Sequence, residues 1–103
     1  MAVSKISLAF DYKFVSVSKK VSYSSGTTYY SGTLTSTDFT NAINAGYVPL
    51  AISAFNTGRD PWFASQISLS NSGVYMHCTL RTSSSSEGAS ATMTATVLMV
   101  KKN

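Results

Sequence analysis

Charge is scarce in this chain: Asp, Glu, Lys and Arg make up 12% of its 103 residues, about half the roughly 25% usual in globular proteins. The eight basic residues are Lys5, Lys13, Lys19, Lys20, Arg59, Arg81, Lys101 and Lys102, and the net charge is only +4. No basic cluster exceeds two neighbours. A nucleic-acid binder needs a dense basic patch to neutralise phosphates, so no nucleic-acid partner is expected. Cysteine is nearly absent. Cys78 stands alone, which excludes an internal disulfide and the disulfide-stapled class of small secreted domains. It alternates with apolar neighbours and reads as a buried, inert thiol. Long apolar runs are missing too, so no membrane partner is expected. The first apolar positions after Met1 alternate with polar ones, unlike a secretory leader. The chain is therefore expected to fold in a cytoplasm.

The groups that carry most enzyme chemistry are equally sparse. There is one histidine, His77, and there are four carboxylates, Asp11, Asp38, Asp60 and Glu87. His77 falls on the outward face of an expected strand and reads as a surface or structural residue. Serine is so abundant that one near His77 is expected by chance. No Gly-x-Ser-x-Gly elbow singles out a nucleophile. A glycosidase needs two carboxylates across a cleft, and nothing in the spacing pairs these four. No ligand spacing suggests a metal, and no glycine-rich phosphate loop suggests a nucleotide. The glycines are single and well separated, as turn residues are. The chain is thus expected to be non-enzymatic, with no catalytic residues, metal or cofactor.

What fills the chain instead is hydroxyl and β-branched character, with 19 Ser and 12 Thr. That mix suits strands and competes with helices. Ile6, Leu8, Phe10, Tyr12 and Phe14 alternate with polar residues, a period of two. The phase then changes to Val15 and Val17, which predicts a bulge or turn near Phe14–Val15. Ser24-Ser25-Gly26 reads as a turn. Residues 27–35 read as a second strand. Residues 37–45 read either as a loop or as at most a short helical turn or two, capped by Thr37 or Asp38, with Phe39 and Ile43 on one face and Gly46 ending it. Residues 48–55 read as a buried strand. Residues 62–70 read as a strand with Phe63, Ile67 and Leu69 inward. Asn71-Ser72-Gly73 reads as a tight turn into a partner strand, with Val74, Met76, Cys78 and Leu80 on one face. A serine-rich loop, 83–90, precedes a long last strand, 91–101. The expected fold is a single all-β antiparallel domain, a sandwich or jelly roll of seven or eight strands.

Two stretches stand out as candidate contact sites. The loop 57–62 joins Arg59 and Asp60 to Trp62, residue types common at interfaces. Its bland reading is that Arg59 pairs with Asp60 in solvent while Trp62 packs inward. In the last strand Val97, Leu98, Met99 and Val100 are apolar on both faces, which suggests a central strand or an oligomer interface.

The order of short motifs resembles a known family. Gly46-Tyr47-Val48-Pro49 leads into Leu50-Ala51-Ile52; Leu80-Arg81-Thr82 precedes the run Ser83–Ser86; the chain closes on Thr94-Ala95-Thr96-Val97-Leu98-Met99-Val100-Lys101-Lys102. Over roughly residues 46–102 this resembles the C-terminal domains of tail-fibre and other virion structural proteins of bacteriophages infecting gut Firmicutes. Thr82 departs from the asparagine common there, and Met99 from the tyrosine. The resemblance implies a β-sandwich assembled on the virion, commonly as a homotrimer, in contact with other virion proteins and with a host cell-surface glycan. It transfers no binding residues. With no shaft or attachment segment before Met1-Ala2, the chain reads as an excised domain or as a small protein docked directly on capsid or tail. A capsid decoration or head-fibre protein is the alternative, and a carbohydrate-binding module of a bacterial surface protein a further one.

Overall fold

The structure, a computed structural model, describes residues 10–60, 62–80 and 88–102. Ile6 and Leu8 of the first alternation, Arg81, Thr82, the run Ser83–Ser86 and Glu87 lie outside these residues. The described chain forms six strands and one helix: β1 (Phe10–Tyr23), β2 (Tyr29–Leu34), α1 (Thr37–Asn44), β3 (Val48–Asn56), β4 (Trp62–Ser70), β5 (Gly73–Leu80) and β6 (Ala89–Lys102). The all-β antiparallel class is as expected, with six described strands where seven or eight were expected. Two three-stranded sheets result, ordered β1-β6-β3 and β2-β5-β4. We call them sheet A and sheet B.

Sheet A is organised by β1 and β6, which pair from Phe10↔Lys102 to Tyr23↔Ala89 without a register shift. The expected bulge at Phe14–Val15 is therefore not there. The phase change has another cause. Val15 and Val17 point to the core, while Phe10, Tyr12 and Phe14 point to the opposite face and are exposed. One straight strand is apolar on its outer face in its first half and on its inner face further along. In β6, Ala91, Met93, Ala95, Val97 and Met99 all face the core.

The third strand of sheet A corrects a second expectation. β3 is an edge strand with mostly exposed side chains, not a buried one. Its pairing with β6 shifts register between Pro49 and Ala51 and again between Ile52 and Ala54. Proline cannot donate to a ladder, so an edge is where it is tolerated.

Sheet B turns its apolar side toward the same core. Tyr30, Leu34, Trp62, Val74, Met76 and Cys78 are buried together with the inner face of sheet A. Across the core the Cys78 thiol donates to the Met93 thioether at 3.8 Å. The expected hairpin of β4 and β5 forms, with Ser70 opposite Gly73. A register shift between Ala64 and Gln66 explains a third correction: Trp62 faces inward and Phe63 outward, after which Ile67 and Leu69 recover the inward phase. The sheets are also tied at one seam, where Ser18 and Thr35 exchange backbone hydrogen bonds of 3.1 and 3.2 Å.

The helix is capped by Ser36 rather than Thr37 or Asp38; its hydroxyl accepts from the Phe39 N–H at 3.1 Å. Phe39 and Ala42 enter the core. At the other end Gly46 N–H bonds Ile43 C=O and Tyr47 N–H bonds Ala42 C=O, the paired closure of a helix C-terminus. This delivers Tyr47 beside sheet A, with Lys13 Nζ 4.5 Å and Lys101 Nζ 5.9 Å from its ring centre.

Gly73 begins β5 at φ +132°, where a Cβ would stand 2.1 Å from the Leu34 carbonyl oxygen. Gly26 has φ +87° but open space around it. Gly73→Ala is expected to cost about 2–4 kcal/mol from conformation and overlap together, and Gly26→Ala about 1 kcal/mol from conformation alone. Urea unfolding of both variants checks this; equal losses would contradict the close approach of β5 to Leu34.

Candidate functional site

The titratable side chains are dispersed. Asp11 lies on β1, Asp38 in the first turn of α1 and Asp60 in the β3–β4 loop. Among the described residues no three His, Cys, Asp or Glu side chains gather where they could hold a metal. His77 is on the outer face of sheet B, stacked on Tyr29 with ring centres 5.3 Å apart and planes 15° from parallel. A serine does lie close by, but the Ser65 hydroxyl bonds the His77 backbone carbonyl at 3.1 Å and Thr79 Oγ1 at 2.7 Å. Its hydroxyl is thus engaged by the backbone and by threonine.

The loop after β3 is built on its own hydrogen bonds. Asn56 Oδ1 accepts from Gly58 N–H at 2.6 Å. Thr57 donates toward the Trp62 and Arg59 carbonyls at 3.1 and 3.2 Å. Tyr30 donates from below to the Thr57 carbonyl at 2.9 Å. Gly58 has φ +90°, and a Cβ there would meet Thr92 carbonyl oxygen at 2.3 Å, so the loop lies directly on β6. Arg59 and Asp60 are exposed. Trp62 is not: it is 4% exposed and packs on Tyr23 and Tyr30, with centroids 5.2 and 4.6 Å away. Of the three residues expected to form a contact loop, Trp62 is the anchor of the loop and only Arg59 and Asp60 reach solvent. They border an open groove of about 550 Å³ that also includes Phe55 and Phe63.

The expected interface residues divide in the same way. Val97 and Met99 are 0% exposed in the core and are not a contact surface. Leu98 and Val100 face outward and are half-buried. They form the floor of a depression of about 530 Å³ whose walls are Phe10, Tyr12, Phe14 and Leu50. Tyr12 and Phe14 meet edge to face at 6.3 Å. Every side chain lining this depression is apolar or aromatic. Its four wall residues are 49–61% exposed. The alternation of Phe10, Tyr12 and Phe14 was visible in the sequence, but alternation does not say which of two faces is covered.

No family model, no curated protein and no solved structure matches this chain.

Burial pushes the Tyr30 phenol and the Cys78 thiol above their ordinary ranges. Both groups stay protonated in the folded chain after the unfolded chain has released those protons. Their contribution is therefore complete below about pH 8.5 and is lost as pH rises past about 8.5 for the thiol and about 10 for the phenol. Urea midpoints are expected to be flat from about pH 6 to 8 and to fall steeply above about pH 10. Tyr30→Phe should flatten that fall while costing about 1 kcal/mol near neutrality through the lost bond to Thr57. An unchanged alkaline slope in the variant would contradict this.

Trp62→Ala is expected to cost about 3–5 kcal/mol, and Arg59→Ala or Asp60→Ala within about 0.5 kcal/mol. Thermal melts of the three variants separate anchor from surface.

Proposed function

We propose that this chain is a non-enzymatic structural protein of a bacteriophage virion, a β-sandwich displayed on the particle surface as a fibre or receptor-binding domain. It assembles as a homotrimer through the outer, apolar end of sheet A. The observation that carries this reading is the uncovered cluster of Phe10, Tyr12, Phe14 and Leu50 over Leu98 and Val100. Scattered apolar residues on a surface need no explanation, but a contiguous aromatic patch of this kind marks an interaction site. With Val48, which is 56% exposed beside it, the patch offers on the order of 500 Å². A stable interface buries about 800 Å² on each partner. The patch fits the apolar centre of such an interface, and the neighbouring Thr96 fits its polar rim.

The phage assignment draws its support from the motif order in residues 46–102, and the trimer from the same resemblance. The physical chemistry agrees with that role. A disulfide-free domain rich in hydroxyls is able to fold in a bacterial cytoplasm and then serve outside it. Among the described residues the carboxylates Asp11, Asp38 and Asp60 lie on elements separate from one another and from His77, whereas apolar side chains converge at the end of sheet A.

Light scattering after size exclusion tests the assembly. The expected mass is three times the 11.0 kDa of one chain. Phe14→Lys and Leu50→Glu, both at exposed positions, are expected to give an 11.0 kDa monomer that still melts cooperatively, at a lower temperature than the assembled wild type. A wild-type monomer at about 100 μM would sink the assembly reading, since a stable homotrimer holds together well below that concentration.

A further inference from the structure

We propose that the outer face of sheet B is a binding platform for an uncharged polysaccharide, formed by Tyr29, Phe63 and Tyr75 with the polar groups between them. This names the ligand class for the displayed binding role proposed above. It uses a different surface from the one that assembles the protein.

The first argument is charge. No Asp, Glu, Lys or Arg occurs anywhere in β2, β4 or β5. The two long strands of sheet A, by contrast, carry Asp11, Lys13, Lys19, Lys20, Lys101 and Lys102. An exposed face normally keeps its charges for solubility. This one replaces them with rings, hydroxyls and an amide. Its electrostatic complement is a ligand without charge, and a long anionic or cationic chain gains nothing from it.

The second argument is the register. Tyr29 and Phe63 are both partners of Thr79, one on each side of the central strand. They are 58% and 38% exposed. Two strand spacings separate them, about 10 Å. That is the reach from one sugar ring to the next but one along an extended chain. Aromatic faces stack well on the C–H faces of pyranose rings, and their amphipathic edges tolerate water. Tyr29 is not free to collapse onto the sheet, because His77 already stacks beneath it.

The third is the bulge in β4. The irregularity between Ala64 and Gln66 puts two polar residues, Ser65 and Gln66, opposite the single His77. Bulges re-aim side chains in this way. Ser65 is held by Thr79 and the His77 carbonyl, and Gln66 is exposed beside it. On the other side of His77 stands Ser31. Rings that stack and fixed polar groups that orient are the two parts a sugar site requires. The rings stand in the row of Tyr29, Thr79 and Phe63 and the polar groups in the next row, of Ser31, His77 and Gln66, so a polyhydroxylated chain lying on the face would meet both.

The test is an amide-resolved NMR titration of the full chain with cellohexaose, maltohexaose and chitohexaose in turn, and with a heparin hexasaccharide. At least one neutral hexasaccharide is expected to shift amides of Tyr29, Phe63, Tyr75, His77 and Thr79. Tyr29→Ala is expected to weaken that binding roughly tenfold, and Tyr29→Phe to retain it. No response to any neutral hexasaccharide overturns the proposal. So does tighter binding of heparin, a response confined to the Arg59 loop, or a Tyr29→Ala variant that loses oligomer mass instead. Phe14→Lys leaves this platform intact. A variant that is monomeric yet binds the sugar separates the two surfaces, and loss of one property does not entail loss of the other.

Discussion

Everything in this fold hangs on the unbroken pairing of β1 with β6. The two strands run antiparallel over the whole of Phe10–Tyr23 and Ala89–Lys102. They join residues near the two ends of the described chain, so the contact closes the longest loop available and is costly in chain entropy. What repays it is the inner face of β6, where Ala91, Met93, Ala95, Val97 and Met99 are all buried. Because side chains alternate with a period of two, a slip of one residue would turn that row to solvent and bring the threonines inward. The core row thus fixes the register, and the register fixes which residues appear outside.

From that constraint the two outer surfaces follow. With Val15 and Val17 committed to the core, Phe10, Tyr12 and Phe14 have no choice but the outer face, and Leu98 and Val100 join them from β6. With Met76 and Cys78 facing Met93, the odd residues of β5 are turned outward with Tyr29 and Phe63 on either side. The loop carrying Arg59 and Asp60 is fixed by the same core, since Trp62 and Tyr30 hold it from beneath. The surfaces differ in chemistry because they differ in what stands behind the same alternation. Sheet A presents apolar side chains at one end and hydroxyls at the other. Sheet B mixes rings and hydroxyls throughout and carries no formal charge in its strands.

The sequence made the class of fold legible because a period of two is a local property. The β4–β5 hairpin and the inward face of Val74, Met76 and Cys78 could be read without knowing their partners. The helix was legible only as one of two readings of its segment, with its cap within a residue. Errors arose where one strand changes face or edge. The switch from Phe14 to Val15 resembles a bulge in sequence, because a bulge and an uncovered outer face leave the same pattern. Val48–Phe55 resembles a buried strand, because apolar content does not reveal that the strand lies at an edge. Trp62 was open to two readings, a contact residue of its loop or an inward-packed ring, and the stack of Tyr23, Tyr30 and Trp62 decides for the second. The Tyr29–His77 pair was out of reach altogether, since it depends on a long-range register.

The distribution of irregularities adds one more constraint. Of the four edge strands only β1 carries the lysines that usually protect an exposed edge, namely Lys13, Lys19 and Lys20. The other edges are handled by geometry. β1 and β2 are tied to each other through Ser18 and Thr35, and both pair with their neighbours without a break. β3 and β4, the two remaining edges, hold all the register shifts in the described ladders, and β3 carries Pro49 as well. Shifts of this kind bend an edge away from the flat template another strand would need. Strand-to-strand addition is therefore disfavoured on the side where it would otherwise be easiest. Association is left to the broad faces, where side-chain shape and chemistry, rather than the backbone, select the partner. Edge pairing joins any two strands indiscriminately, whereas a patterned face does not.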